Sequence, residues 1–277
     1  MPAANFIIGG DMRTCVFVDG ENFRHSIVEL FSQFRKEDYL PKSADWAGFF
    51  DWIVKEVHED GERIRTYWYV VESLDFFPYR FPDPTKYTET DPERVKQELE
   101  TLCTVLSYHQ PYKDKIAKLP ENGLLDYATQ TVNDLKRRQD VMQERFNGWI
   151  AKQNGISLRH KAIEFRRAGA ITYRLFDNSL GKEKAVDVKL ATDMVTLKDI
   201  YDLAIIVTGD QDYVPAAKVV KDFGKRIVNV AFMTRSGSLL PGGARNLNQV
   251  TDWSFCIPFN DLAEHLHIAQ LPLEERD

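Results

Sequence analysis

The sequence predicts an α/β fold on a central, mostly parallel sheet of about five strands, with a helical insertion. Three observations predict it. Short apolar runs alternate with amphipathic helical stretches, the order that gives parallel strands joined by right-handed crossovers. The run Leu203-Ala204-Ile205-Ile206-Val207 is apolar at every position, as a strand covered on both faces requires. Two such runs end in carboxylates: Cys15-Val16-Phe17-Val18 leads to Asp19, and the 203–207 run leads through Thr208 and Gly209 to Asp210 and Asp212. Ligands of open α/β sheets bind just beyond the carboxyl ends of the strands.

The elements follow in order. A strand at 14–18 precedes a helix at 21–34 whose buried stripe is Ile27, Leu30, Phe31 and Phe34. The next helix covers 45–58, capped by Ser43 or Asp45, with Phe49, Phe50, Ile53 and Val57 facing the core. Gly61 ends it, and a second strand covers 64–71. Residues 76–91 read as a loop because Pro78, Pro82 and Pro84 interrupt them. Helical stretches at 93–108 and 124–150 form a hairpin inserted before a third strand at 170–176. The longer one carries Leu125, Ala128, Val132, Leu135, Met142 and Phe146 at helical spacing. A loop at 177–181 leads to a helix ending near Leu197, then the strand at 203–207, a helix at 212–223 and a strand at 226–232. A Gly-rich turn at 241–243, a short strand at 253–257 and a helix at 259–267 close the chain.

At 277 residues the chain is long enough for one large or two small domains. With 43% hydrophobic and 28% charged residues it reads as an ordinary soluble globular protein. The net charge of -6 excludes a surface coated in positive charge but not a local basic groove. Cys15, Cys103 and Cys256 are far apart and form no CxxC pair, which excludes a zinc cluster and a disulfide framework and fits the cytoplasm. The first residues lack a basic, apolar leader, and no stretch reaches the roughly 20 apolar residues of a membrane span.

The carboxylates Asp19, Asp210 and Asp212 are expected at one crevice, joined by Asp187 or Asp193 from the helix before the fourth strand. Six residues separate Asp187 from Asp193, so the two do not share a helix face cleanly, and one ligates while the other caps, pairs with Lys189 or faces water. Oxygen ligands without a Cys or His cluster select Mg2+ or Mn2+ over zinc. Such ions neutralise phosphate charge and lower the pKa of water, so no side-chain nucleophile is required. Asn22 and Thr208 would orient Asp19 or a water.

These residues give the chain a resemblance to the NYN domain family, the LabA-like branch of the PIN-like nucleases. It is carried by Val16-Phe17-Val18-Asp19-Gly20-Glu21-Asn22-Phe23, by Lys184-Ala185-Val186-Asp187-Val188-Lys189-Leu190-Ala191-Thr192-Asp193-Met194, by Ile206-Val207-Thr208-Gly209-Asp210-Gln211-Asp212-Tyr213-Val214-Pro215, and by the following Gly224-Lys225-Arg226-Ile227-Val228-Asn229-Val230. It covers roughly 12–72 and 168–258, setting apart an insertion at about 75–165 and a C-terminal helix and tail at 259–277. The resemblance implies a PIN-like, Rossmannoid three-layer sandwich and a metal-dependent endoribonuclease that cuts single-stranded or looped RNA. It makes Asp19, Asp187, Asp210 and Asp212 the acidic residues, with Asp193 a further member, Asn22 in support and Lys184 near the scissile phosphate.

Further substrate contacts are expected from Arg24, from Arg159, His160 and Lys161 with Arg166 and Arg167 as a phosphate-tracking rim, and from Arg80 in an aromatic, proline-rich loop. Lys136-Arg137-Arg138 is a second basic run, and the insertion is a surface for a protein partner or a second copy. The competing reading is a catalytically weak RNA-binding or scaffolding module. A haloacid-dehalogenase-type phosphatase is disfavoured because Glu21 stands where that family needs a second aspartate.

Overall fold

The computed structural model describes residues 12–31, 33–34, 40–41, 44–78, 91–110, 112–240 and 245–268. In chain order the elements are β1 (Met12–Asp19), α1 (Gly20–Leu30), α2 (Trp46–Val57), β2 (Gly61–Phe77), α3 (Pro92–Leu106), α4 (Tyr112–Ile116), α5 (Leu124–Arg159), β3 (Ile163–Arg174), β4 (Ser179–Lys184), α6 (Val186–Thr196), β5 (Leu203–Val207), α7 (Val214–Asp222), β6 (Arg226–Phe232), α8 (Arg245–Val250), β7 (Trp253–Ile257) and α9 (Phe259–His265). A single 3-10 turn, Gln211–Tyr213, precedes α7.

The strands form one sheet in the order β4-β3-β2-β1-β5-β6-β7. β1 pairs in parallel with β2 and β5, β5 with β6, and β6 with β7, whereas β3 and β4 are antiparallel. The sheet therefore has seven described strands, not about five. The two additions are its edges. β7 occupies the position expected of the short strand, and β4 lies where a loop and the approach to a helix are expected. Ser179-Leu180-Gly181-Lys182-Glu183-Lys184 is polar and lacks alternation, as an edge strand tolerates.

Other boundaries shift for local reasons. α1 stops at Leu30, before Phe31, whose extended backbone caps it. β2 runs on through Phe76 and Phe77, so the expected loop begins only at Pro78. β3 starts at Ile163 because Glu164, Arg166 and Arg167 find partners within the fold although their charge masks the alternation. α5 reaches Arg159, and the short helix α4 adds a turn that periodicity did not reveal. Ser43, Arg80 and the Gly-rich turn at 241–243 lie outside the described residues; Asp45 does cap α2, its Oδ1 accepting from Gly48 N at 3.1 Å.

The chain divides into two compact units. One contains the residues up to Val71, Ala151–Ala168 and those from Ala185 onward; the other contains Glu72–Ile150 and Gly169–Lys184. In the first, β5 is sealed at every residue, and Phe23, Phe50 and Trp46 pack around Trp68, with the Trp46 and Trp68 rings 5.0 Å apart. Gly20 is needed where α1 leaves β1: a Cβ there would meet Tyr69 O at 2.3 Å. In the second unit, Ala128, Val132, Leu135, Met142 and Phe146 are buried, as their helical spacing predicts. Arg138 serves this unit's structure, its Nη1 donating to Leu175 O at 2.9 Å and Tyr112 Oη at 3.0 Å.

Candidate metal centre

The first unit gathers carboxylates from three of its elements. β1 and β5 are adjacent and parallel, Val18 lying opposite Val207, so both deliver their next residues to one edge of the sheet. Asp19 ends β1 and caps α1, its Oδ1 accepting from Asn22 N at 3.0 Å. The segment after β5 folds around polar side chains: Thr208 Oγ1 donates to Asp19 Oδ2 at 3.0 Å and accepts from Asp210 N at 3.0 Å. Gly209 N donates to Asn22 Oδ1 at 2.6 Å, and Asp212 N donates to Asp210 Oδ1 at 2.9 Å. Asn22 is thus the tie between α1 and the Gly209 turn.

Asp187, in the first turn of α6, completes the set. One carboxylate oxygen each from Asp187, Asp210 and Asp212 lies within 4.8 Å of the others. Tyr213 links the two sides of the crevice, its hydroxyl lying 2.8 Å from Asp187 Oδ1 and 3.2 Å from Asp19 Oδ2. A phenol has one proton, so it donates to one carboxylate at a time. Asp19 is only 2% exposed. Burial pushes its pKa up to about 7, and the negative charge of Asp187 adds to the rise against the bonds from Asn22, Thr208 and Tyr213. Burial and the same two carboxylates push the Tyr213 phenol far above its ordinary value.

The predicted set is not uniform. Asp193 is buried, with Arg166 Nη1 and Tyr69 Oη on Oδ2 at 2.5 and 3.1 Å and Lys189 Nζ on Oδ1 at 3.0 Å. It therefore lies outside the carboxylate trio and is already charge-compensated. Burial would raise its pKa, but Arg166 and Lys189 hold it below the ordinary range. Arg24, expected at the substrate, is 1% exposed, with its Nε and Nη2 on Glu21 Oε2 at 3.1 and 2.9 Å. Arg167 is likewise engaged, donating from Nη2 to Gln153 Oε1 and Asn154 Oδ1 at 3.0 and 2.9 Å. Arg159 and Lys161 are exposed beside the end of α5, and Lys184 is exposed at the end of β4. Sequence reasoning missed the roles of Tyr213 and Tyr69, and it placed Arg166 on the phosphate-tracking rim, whereas Arg166 pairs with Asp193. Tyr213 carried a signal: it directly follows Gly209-Asp210-Gln211-Asp212 and places a hydroxyl at the start of a helix that packs on the sheet.

The donor chemistry fits a hard divalent cation: oxygen ligands, net negative charge and, among the described residues, bonds to Asp19 that come from Asn22, Thr208 and Tyr213 rather than from a cation of the chain. Among the described residues no helix is long and apolar enough to cross a membrane. No curated protein matches the chain. A crystal structure of a protein of unknown function from Vibrio parahaemolyticus is similar to it at 14% identity, covering 89% of this chain and 93% of that chain with a TM-score of 0.43. The NYN domain matches residues 76–241. That stretch includes the segment set apart as an insertion and the aspartates at 187, 193, 210 and 212, and begins beyond Asp19. By this match the chain belongs to the NYN domain family.

Proposed function

We propose that the protein is a metal-dependent ribonuclease that hydrolyses phosphodiester bonds in single-stranded or looped RNA, within a PIN-like three-layer domain. The observation that carries this reading is the approach of Asp187, Asp210 and Asp212 within 4.8 Å beside the buried, raised-pKa Asp19. Family membership supports a nuclease, and the charge pattern supports a phosphate substrate.

Asp187, Asp210 and Asp212 would hold Mg2+ or Mn2+, with Asp19 as the buried member of the set. Such a cation, when bound, would supply neutralisation of phosphate charge and a lowered pKa for water. The chain's own residues set the ligand geometry. Tyr213 spans Asp19 and Asp187, Thr208 orients Asp19 and fixes the amide of Asp210, and Asn22 holds the Gly209 turn. These bonds preorganise the carboxylates, so less ordering is left for the moment of binding. Arg159, Lys161 and Lys184 are the proposed phosphate contacts, being exposed cations.

The test is cleavage of a labelled pool of structured and single-stranded RNA and DNA by the full chain in Mn2+, in Mg2+ and in EDTA, beside Asp210→Asn. Metal-dependent RNA cleavage lost in the variant is the expected result. Tight RNA binding without cleavage in either metal would replace the hydrolase with an RNA-binding module.

A further inference from the structure

Asp193 sits on α6 six residues after Asp187, a rise of roughly 9 Å along the same helix. Its carboxylate is gripped from three elements: Arg166 on β3 at 2.5 Å, Tyr69 on β2 at 3.1 Å and Lys189 on α6 at 3.0 Å. Arg166 is itself fixed. Its Nε donates to Glu164 Oε1 at 3.0 Å, and its guanidinium lies 4.1 Å over the Tyr67 ring. Tyr69 stands opposite Asp19 in the β1–β2 register. The grip therefore ties α6 to the stretch of β2 that flanks Asp19. α6 also lacks a side-chain cap at its own start, where Ala185 takes the left-handed conformation with φ 75°.

We infer that Arg166 and Tyr69 are positioning residues that act through Asp193 to set the carboxylate of Asp187, and that Asp193 is not a cation ligand. A cation that took Asp193 would strand the charge of Arg166, whose side chain is only 20% exposed, and would be repelled by both Arg166 and Lys189. A helix is stiff along its axis, so loosening α6 at Asp193 displaces Asp187 relative to Tyr213. The inference rests on the metal-binding reading for only one of its two readouts.

The experiment uses the full chain as wild type, Asp193→Asn, Arg166→Gln and the double variant, with Asp187→Asn as the reference for a true ligand. The first readout is Mn2+ affinity by calorimetry. The second is the 13C shift of the hydroxyl-bearing ring carbon of Tyr213 in metal-free protein, assigned with Tyr213→Phe. Each single variant is expected to weaken Mn2+ binding about 10- to 100-fold, as outer-shell residues do, and to move the Tyr213 signal. The double variant is expected to bind no more weakly than the worse single one, because both substitutions break the same link. Additive losses, with Asp193→Asn as damaging as Asp187→Asn, would make Asp193 a ligand and overturn the inference. So would unchanged affinity together with an unchanged Tyr213 signal. If the wild type binds no Mn2+, the metal-centre reading falls, and the Tyr213 signal alone decides: movement in both single variants upholds the positioning role, and none overturns it. Should either substitution prevent folding, judged by circular dichroism, Tyr69→Phe removes one bond to Asp193 and keeps the ring. It is expected to weaken Mn2+ binding and move the Tyr213 signal less than the charge variants, and no change in either would overturn the inference.

Discussion

Asp19 and Asp193 are both nearly sealed from solvent, at 2% and 4% exposure, yet their surroundings are opposite. Asp193 faces two cations and a phenol, which hold its carboxyl below the ordinary range. Asp19 faces a backbone amide, two hydroxyls and the charge of Asp187, and burial leaves its carboxyl at about 7. Both carboxylates were desolvated on folding, but only one received its counter-charge from the chain. The difference separates an acid neutralised by cations of its own fold from an acid left without one. Burial alone does not set a carboxylate's charge state; the sign of what lies around it does.

The largest effect that would break this contrast is on activity. Asp187→Asn and Asp210→Asn are expected to lower RNA cleavage by more than about 100-fold, beyond the loss from an outer-shell change, measured as initial rates in Mn2+. Comparable rates in the wild type and both variants would remove the metal centre. Mn2+ at about 100 times its dissociation constant should stabilise the wild type by about 2.7 kcal/mol, read as a higher melting temperature that EDTA reverses. Asp193→Asn should destabilise the metal-free protein by about 2 kcal/mol through loss of charged hydrogen bonds, whereas Asp19→Asn should stabilise it at pH 8. Equal signs in denaturant titrations would show that the two sites are not electrostatic opposites.

The pH dependence sharpens the same point. Asp19 has a folded-state pKa of about 7, above its unfolded value of 3.8, so the folded state binds the extra proton. Its contribution is full below the unfolded pKa and is lost as pH rises through about 7. The metal-free protein should therefore melt lower at pH 8 than at pH 5, and Asp19→Asn should flatten that slope. Asp193 has the opposite slope, its contribution fading only as pH falls through its lowered pKa. The smallest effect is local: Ala185→Gly, at φ 75°, should raise stability by about 0.5 kcal/mol, the relief of a left-handed alanine less the greater freedom of an unfolded glycine.

How much of this was legible in the sequence depended on where partners lie. β5, β6 and β7 appear at their expected residues because short, largely apolar runs between turn residues admit few other readings, β5 being apolar throughout. Asp19, Asp187, Asp210 and Asp212 were legible because each follows a strand or opens a helix within a short motif. β4 was not, since an edge strand needs no apolar alternation. The Asp193–Lys189 pair was legible from its i,i+4 spacing, but the bonds to Arg166 and Tyr69 were not, since these lie 27 and 124 residues away with no local pattern to join them. Arg24 looked like a substrate contact because its neighbour Glu21, rather than solvent, turned out to satisfy it.

The bond from Thr208 to Asp19 joins residues 189 positions apart, and that from Gly209 to Asn22 spans 187. Such a pairing has an order in time. A chain emerging from the ribosome exposes Asp19 well before the partner strand β5 and Asp210, Asp212 and Tyr213, which follow it in the sequence. Until β1 finds β5, Asp19 stands apart from Thr208 and Tyr213, its partners beyond β5. Any chemistry that needs Asp19 beside these partners is thereby withheld until β1 and β5 have paired.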